Sequence, residues 1–180
     1  MSAVIRLDLL LRETITTPYH DLVTRPTGAA IRERVIRALE AAPGLDAELD
    51  FSAVRILDYS CADEVVAKLL AAEHLPVTRI VLRGVSDEHA DAIEHALNCH
   101  GLAVVIVAAD STLPRLLGAV TDDGHAVFAA LLSFGRTEAV PIANSLAWPA
   151  ERALQALQDL ARHRCVLAYP DATFELGAVA

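Results

Sequence analysis

The spacing of apolar and polar positions divides the chain into two stretches of different character. Residues 2–11 (SAVIRLDLLL) alternate in part and open on β-branched residues, which predicts a strand. Residues 12–26, with Thr14, Thr16, Thr17, Pro18 and Pro26, read as an irregular loop. Ala30, Ile31, Val35, Ala38 and Leu39 then share one helical face, predicting a helix from Thr27 to about residue 41 that Pro43-Gly44 ends. Residues 46–51 (DAELDF) alternate again. A helix is expected from Ser60, as its N-cap, to about Glu73, with Asp63 and Glu64 in the first turn where the helix dipole favours negative charge. A strand over 78–84 follows, then a helix over 87–99 capped by Ser86 and stopped by Gly101. LAVVIVAA (102–109) is the most apolar run and is expected to be the central strand, buried on both faces. Alternating strands and helices over residues 1–110 predict an α/β domain, a sheet flanked by helices.

Beyond it the pattern changes. Ser111 to Pro114 is expected to open a short helix and Thr121 to Gly124 to form a turn, so residues 111–124 read as a linker. Three short apolar helices are predicted at 125–135, 137–147 (capped by Thr137) and 149–163, followed by a hairpin of 165–169 and 173–176 around Pro170-Asp171-Ala172. The second domain, 125–180, is therefore expected to be a small α+β unit.

Composition narrows the classes. Of 180 residues, 54% are hydrophobic and 4% aromatic, enough for a core built from small aliphatic side chains. Fifteen basic against 24 acidic residues give a net charge of −9, which argues against a coat for nucleic acid or an anionic membrane surface. Cys61, Cys99 and Cys165 are too few and too far apart for a disulfide framework, and a reducing compartment fits. The first residues lack the form of a signal peptide and no run reaches about 18 uncharged apolar residues, so a cytoplasmic protein without a membrane partner is expected.

The stretch LDFSAVRILDYSCADEVVAKLL (49–70) carries a resemblance. An apolar strand ending in Asp50-Phe51, the pair Ile56-Leu57, a Ser-bearing turn at Ser60 and a following helix resemble STAS and STAS-like domains, relatives of the bacterial anti-sigma factor antagonists. Ala62-Asp63-Glu64 and the segment TRPTGAAIRERV (24–35) are similar to an uncharacterised STAS-like branch, and the likeness covers roughly residues 20–110. It implies a non-catalytic bacterial signalling or regulatory module that acts by protein–protein contact. The implied partner is a kinase-like ATPase or another signalling protein, and the implied contact face carries Asp58, Ser60, Asp63 and Glu64. Ser60 matches the phosphoacceptor position of the antagonists; a plain N-cap is the alternative, and Asp63 and Glu64 would repel a dianionic phosphate. If Ser60 is the cap, Ser60→Asp is expected to keep it and leave folding nearly unchanged.

Residues 125–177 resemble the winged helix-turn-helix domains of bacterial regulators by the order of their elements. The alternative function is accordingly a DNA-binding transcriptional regulator, with the 149–163 helix in the major groove and Arg152, Gln155 and Arg162 as contacts. That helix also presents Glu151, Gln158 and Asp159, and residues 119–180 hold four arginines against seven carboxylates, a net −3. A DNA reader normally shows a basic footprint, so a protein-contacting or dimerising winged helix is the favoured reading. A homodimer stays open.

Other constellations read as structural. Asp91, His95 and Cys99 fall at i, i+4, i+8 with His89 and His100 nearby, types that can bind zinc, yet no further ligand presents itself and a solvated helix face is expected. Cys61 sits in a helix first turn, where thiols can be acidified, but among carboxylates it reads as a small apolar residue. Arg25, Arg32, Arg34 and Arg37 could form an anion- or partner-binding face, and i, i+4 pairing with Glu33 and Glu40 accounts for them equally. GxSxG, Walker, GxGxxG and HExxH patterns are absent. No catalytic residue, cofactor or metal is expected.

Overall fold

A computed structural model describes residues 3–14, 21–72 and 74–177. The chain divides into two compact units, Met1–Ala119 and Val120–Ala180.

The first unit is mixed α/β with a mainly parallel central sheet flanked by helices. Five strands lie in the order β1 (Ala3–Arg6), β3 (Gly44–Asp50), β5 (Val77–Val85), β6 (Ala103–Ala108), β7 (Pro114–Gly118), and β2 (Asp21–Leu22) pairs with β4 (Ile56–Leu57) in a separate parallel ribbon. The first four strands of the sheet run parallel and β7 antiparallel to β6. Helices span Leu7–Thr14, Arg25–Ala41, 59–70 and Asp87–His100. The alternation of DAELDF now has a cause on each face. Ala47 and Leu49 enter the helix-covered core. On the opposite face Arg79 Nε and Nη2 donate to its register partner Asp46 at 3.0 and 3.1 Å, and Arg83 Nε donates to Glu48 at 2.7 Å. Both pairs cross from β3 to β5, so they hold the register that the apolar face requires.

Several expectations are corrected. The strand expected over 2–11 ends at Arg6, and Leu7–Thr14 is a helix. Leu7 and Leu11, i and i+4, are both buried, a spacing that suits a helix face and not a strand. The next helix begins at Arg25, two residues before the expected Thr27, because Thr24 supplies the cap to the Thr27 N–H and Pro26 occupies the first turn. The strand β6 lies where the apolar run predicted it but is not central; β5 is, and β6 carries β7 on its outer edge. The supposed linker 111–124 contains that strand, with Leu116 and Leu117 buried, where a helix was expected. Part of the expected loop, residues 15–20, and the end of the expected helix at Glu73 lie outside the described residues.

In the second unit, helices Asp122–Phe134, Ala139–Leu146 and Ala150–Arg162 are followed by β9 (Leu167–Ala168) and β10 (Thr173–Glu175). Thr137 does not cap a helix; with Glu138 it forms β8, which pairs with β10 in a three-stranded antiparallel sheet of order β8-β10-β9. Thr121 starts the first of these helices by accepting from the Gly124 N–H at 3.1 Å. Among the described residues no helix is long and apolar enough to cross a membrane.

Candidate functional site

The residues singled out around Ser60 come together at the start of the 59–70 helix, in roles other than those expected. Asp58, not Ser60, is the N-cap: its Oδ1 accepts from the Cys61 N–H at 2.9 Å and from the Ser60 hydroxyl at 2.8 Å. Ser60 is half-buried in the first turn. A carboxylate introduced by Ser60→Asp would therefore face Asp58 instead of the free amides, so the expectation of an unchanged fold does not carry over; a phosphate there would meet the same charge. The Cys61 thiol donates to the Thr24 carbonyl at 3.0 Å. Burial, then the Asp58 charge, pushes its pKa up to about 11, so it stays protonated at neutral pH.

After Cys61 the helix widens into a π-helical turn over Asp63–Ala67 before resuming at Lys68–Leu70. Such turns recur at functional sites. Here it lies among basic side chains of its own helix and of two others. Asp63 and Glu64 are 8% and 5% exposed at their side chains. Arg25 Nη1 bridges them, at 2.7 Å from Asp63 Oδ2 and 2.9 Å from Glu64 Oε1. Arg32 donates to Glu64 Oε2, Lys68 to Glu64 Oε1, and the His100 ring meets Asp63 Oδ1 at 2.7 Å. Burial alone would raise both carboxyl pKa values. Hydrogen bonds from Arg25, His100 and Lys68 outweigh it and hold Asp63 at about 2; those from Lys68 and Arg25 likewise lower Glu64. The repulsion expected between Asp63, Glu64 and an incoming anion is thus largely cancelled within the cluster.

The cluster also explains the first-helix arginines. Arg25 and Arg32 are seven residues apart, with Gly28 between them on the same face. A Cβ on Gly28 would stand 3.0 Å from Glu64 Cβ and 3.1 Å from Cys61 Cα, so the two helices approach closely here and a methyl would require them to give by a few tenths of an ångström. Arg34 instead pairs with Glu13 at 2.7 Å, and of the expected i, i+4 pairs Arg37–Glu33 forms at 3.4 Å. The sequence reading missed the bridge between helices; its signal was a glycine framed by two cations on one face of a helix.

A second feature surrounds Ser60. Pairing of β2 with β4, extended by the Asp58 N–H donating to the Leu22 carbonyl at 2.9 Å, sets residues 21–23 beside 56–58. Val23, Ile56 and Tyr59 are 44%, 44% and 39% exposed there. The Tyr59 ring meets His95 edge-on at 4.6 Å, and the neighbouring Cys99 thiol raises the phenol pKa. His95 and Cys99 thus form part of an aromatic surface, and no metal-holding group of His, Cys, Asp and Glu occurs among the described residues. His89 is buried in a reciprocal cap with Ser86, and burial lowers its pKa.

In the second unit each candidate DNA contact is already engaged. Arg152 forks onto Asp123 at 2.8 and 2.6 Å and lies over the Trp148 ring at 4.0 Å. Gln155 donates to Asp159 at 2.9 Å, and Arg162 also bonds Asp159. At the hairpin Arg136 lies over Tyr169 at 3.8 Å and pairs with Asp171 at 2.8 Å.

A scan against protein-family models finds no match to the chain, and a search of the curated proteins finds none either.

Proposed function

We propose that this protein is a non-catalytic regulatory module that works by protein–protein contact, through the face formed by Val23, Ile56 and Tyr59 around the Asp58–Ser60 turn. The observation that carries the reading is the exposure of three large apolar side chains beside a rigidly capped helix start. Exposed aromatic and aliphatic groups clustered around a polar turn are what protein interfaces use as anchors. The Asp63–Glu64 cluster follows the turn and fixes the 59–70 helix against Arg25–Ala41, so the turn is presented by two braced helices. The STAS-like resemblance places partner contact at the same turn. A kinase-like ATPase or another signalling protein of a bacterial cell remains the partner class.

The alternative, a DNA-binding regulator, draws support from the second unit. Its order of helix, short strand, two helices and hairpin resembles that of a winged helix, in which Ala150–Arg162 would be the recognition helix. The electrostatics weigh against it. Arg152 is committed to a two-pronged pair with Asp123, and the unit carries net negative charge toward a polyanionic ligand.

Position-specific crosslinking in the native host tests the leading reading. A photoreactive phenylalanine analogue in place of Tyr59 is expected to give a discrete protein adduct. The same analogue in place of Glu33, 62% exposed on another face, is expected to give none. Identical adducts from both positions, or none from position 59, would overturn the proposal.

A further inference from the structure

We infer that the second unit is a self-association surface, in which the Ala150–Arg162 helix of one copy lies antiparallel against the same helix of a second copy. The helix and the hairpin that follows it enclose an open groove of about 730 Å³ with an apolar floor that includes Leu154, Ala161, Ala168 and Phe174. Glu151, Leu154, Gln158 and Arg162 follow one another along this side of the helix at three- and four-residue steps. The stripe carries Leu154 and the uncharged Gln158 at its middle, one negative end and one positive end. Glu151 and Arg162 are both exposed.

That pattern is complementary to its own reversed copy. A two-fold axis near residue 156 sets Glu151 of each copy against Arg162 of the other and Leu154 against Gln158 between them, closing two equivalent ion pairs. A parallel arrangement would set like charges opposite each other. The present partner of Arg162 is Asp159, an exposed neighbour on the same helix, and a pair of that kind is weak enough to be exchanged. Duplex DNA fits the stripe poorly, because its apolar floor offers nothing to phosphates. A foreign peptide would have to supply the same charge arrangement that a second copy already has.

Sedimentation velocity of the full chain over a range of concentrations, with circular dichroism as the folding control, tests this. The wild type is expected at twice the 19.2 kDa chain mass. Glu151→Arg, an exposed change that leaves the fold in place, sets Arg against Arg and is expected to give monomer. The double variant Glu151→Arg with Arg162→Glu restores the complementarity and is expected to recover the dimer. Leu154→Asp, which puts a charge at the middle of the stripe, is expected to be monomeric. A wild type that stays monomeric throughout would overturn the inference. So would a dimer that survives Glu151→Arg, or a double variant that fails to re-associate.

Discussion

Glu64→Ala is expected to lower the unfolding free energy by about 3 kcal/mol. The carboxylate accepts from Arg25, Arg32 and Lys68 while itself 5% exposed. Its removal takes away the carboxylate of Arg32 and leaves Arg25 and Lys68 with Asp63 alone. Breaking a buried pair costs about 3–5 kcal/mol because the stranded partner remains desolvated. Here Arg25 and Lys68 are 49% and 38% exposed and can turn to water, which places the effect at the lower end. Glu64→Gln keeps the volume and the acceptor oxygen and should cost less than half as much. Urea unfolding of both variants measures this; equal midpoints for wild type and Glu64→Ala would show that the cluster does not hold the two helices together.

Acid should release the same cluster. The Asp63 carboxyl is held at about 2, below its ordinary 3.8, so between those values the unfolded chain binds a proton that the folded chain does not. Stability from this group is therefore complete above about pH 5 and is lost as the pH falls toward 2. The depression corresponds to about 1–2 kcal/mol once solvent around Arg25, Lys68 and His100 is allowed for. The lowered Glu64 adds in the same direction. Urea midpoints measured from pH 6 to pH 3 should fall more steeply for the wild type than for Asp63→Asn, which has no proton to gain. Parallel curves would contradict the assigned pairing.

How much of this was legible in the sequence follows from the range of the forces involved. The helix over Asp87–His100, with Ser86 and Gly101 at its ends, and the strand at Ala103–Ala108 were read closely, because caps and apolar runs act over a few residues. The Leu7–Thr14 helix was missed because its two buried leucines sit within a longer apolar run that also begins as a strand. The strand β7 was missed because Ser111 to Pro114 has the composition of a helix start, and only pairing with β6 makes the following residues extended. At the site, Ser60 was taken for the cap because serine and aspartate compete for that role two residues apart, and geometry alone decided for Asp58. Arg25 and Arg32 find their partners 32 to 39 residues away, beyond the reach of any local pattern.

We propose that the surface around Tyr59 binds a protein and that the second unit does not read DNA. Calorimetric titration of the protein captured from position 59 decides between these outcomes, with melting temperatures checked for every variant. Tyr59→Ala is predicted to weaken binding at least about tenfold, the loss of one aromatic anchor, while Arg152→Ala binds as the wild type does. Unchanged affinity in Tyr59→Ala, or tight sequence-dependent duplex binding that Arg152→Ala abolishes, would contradict the account.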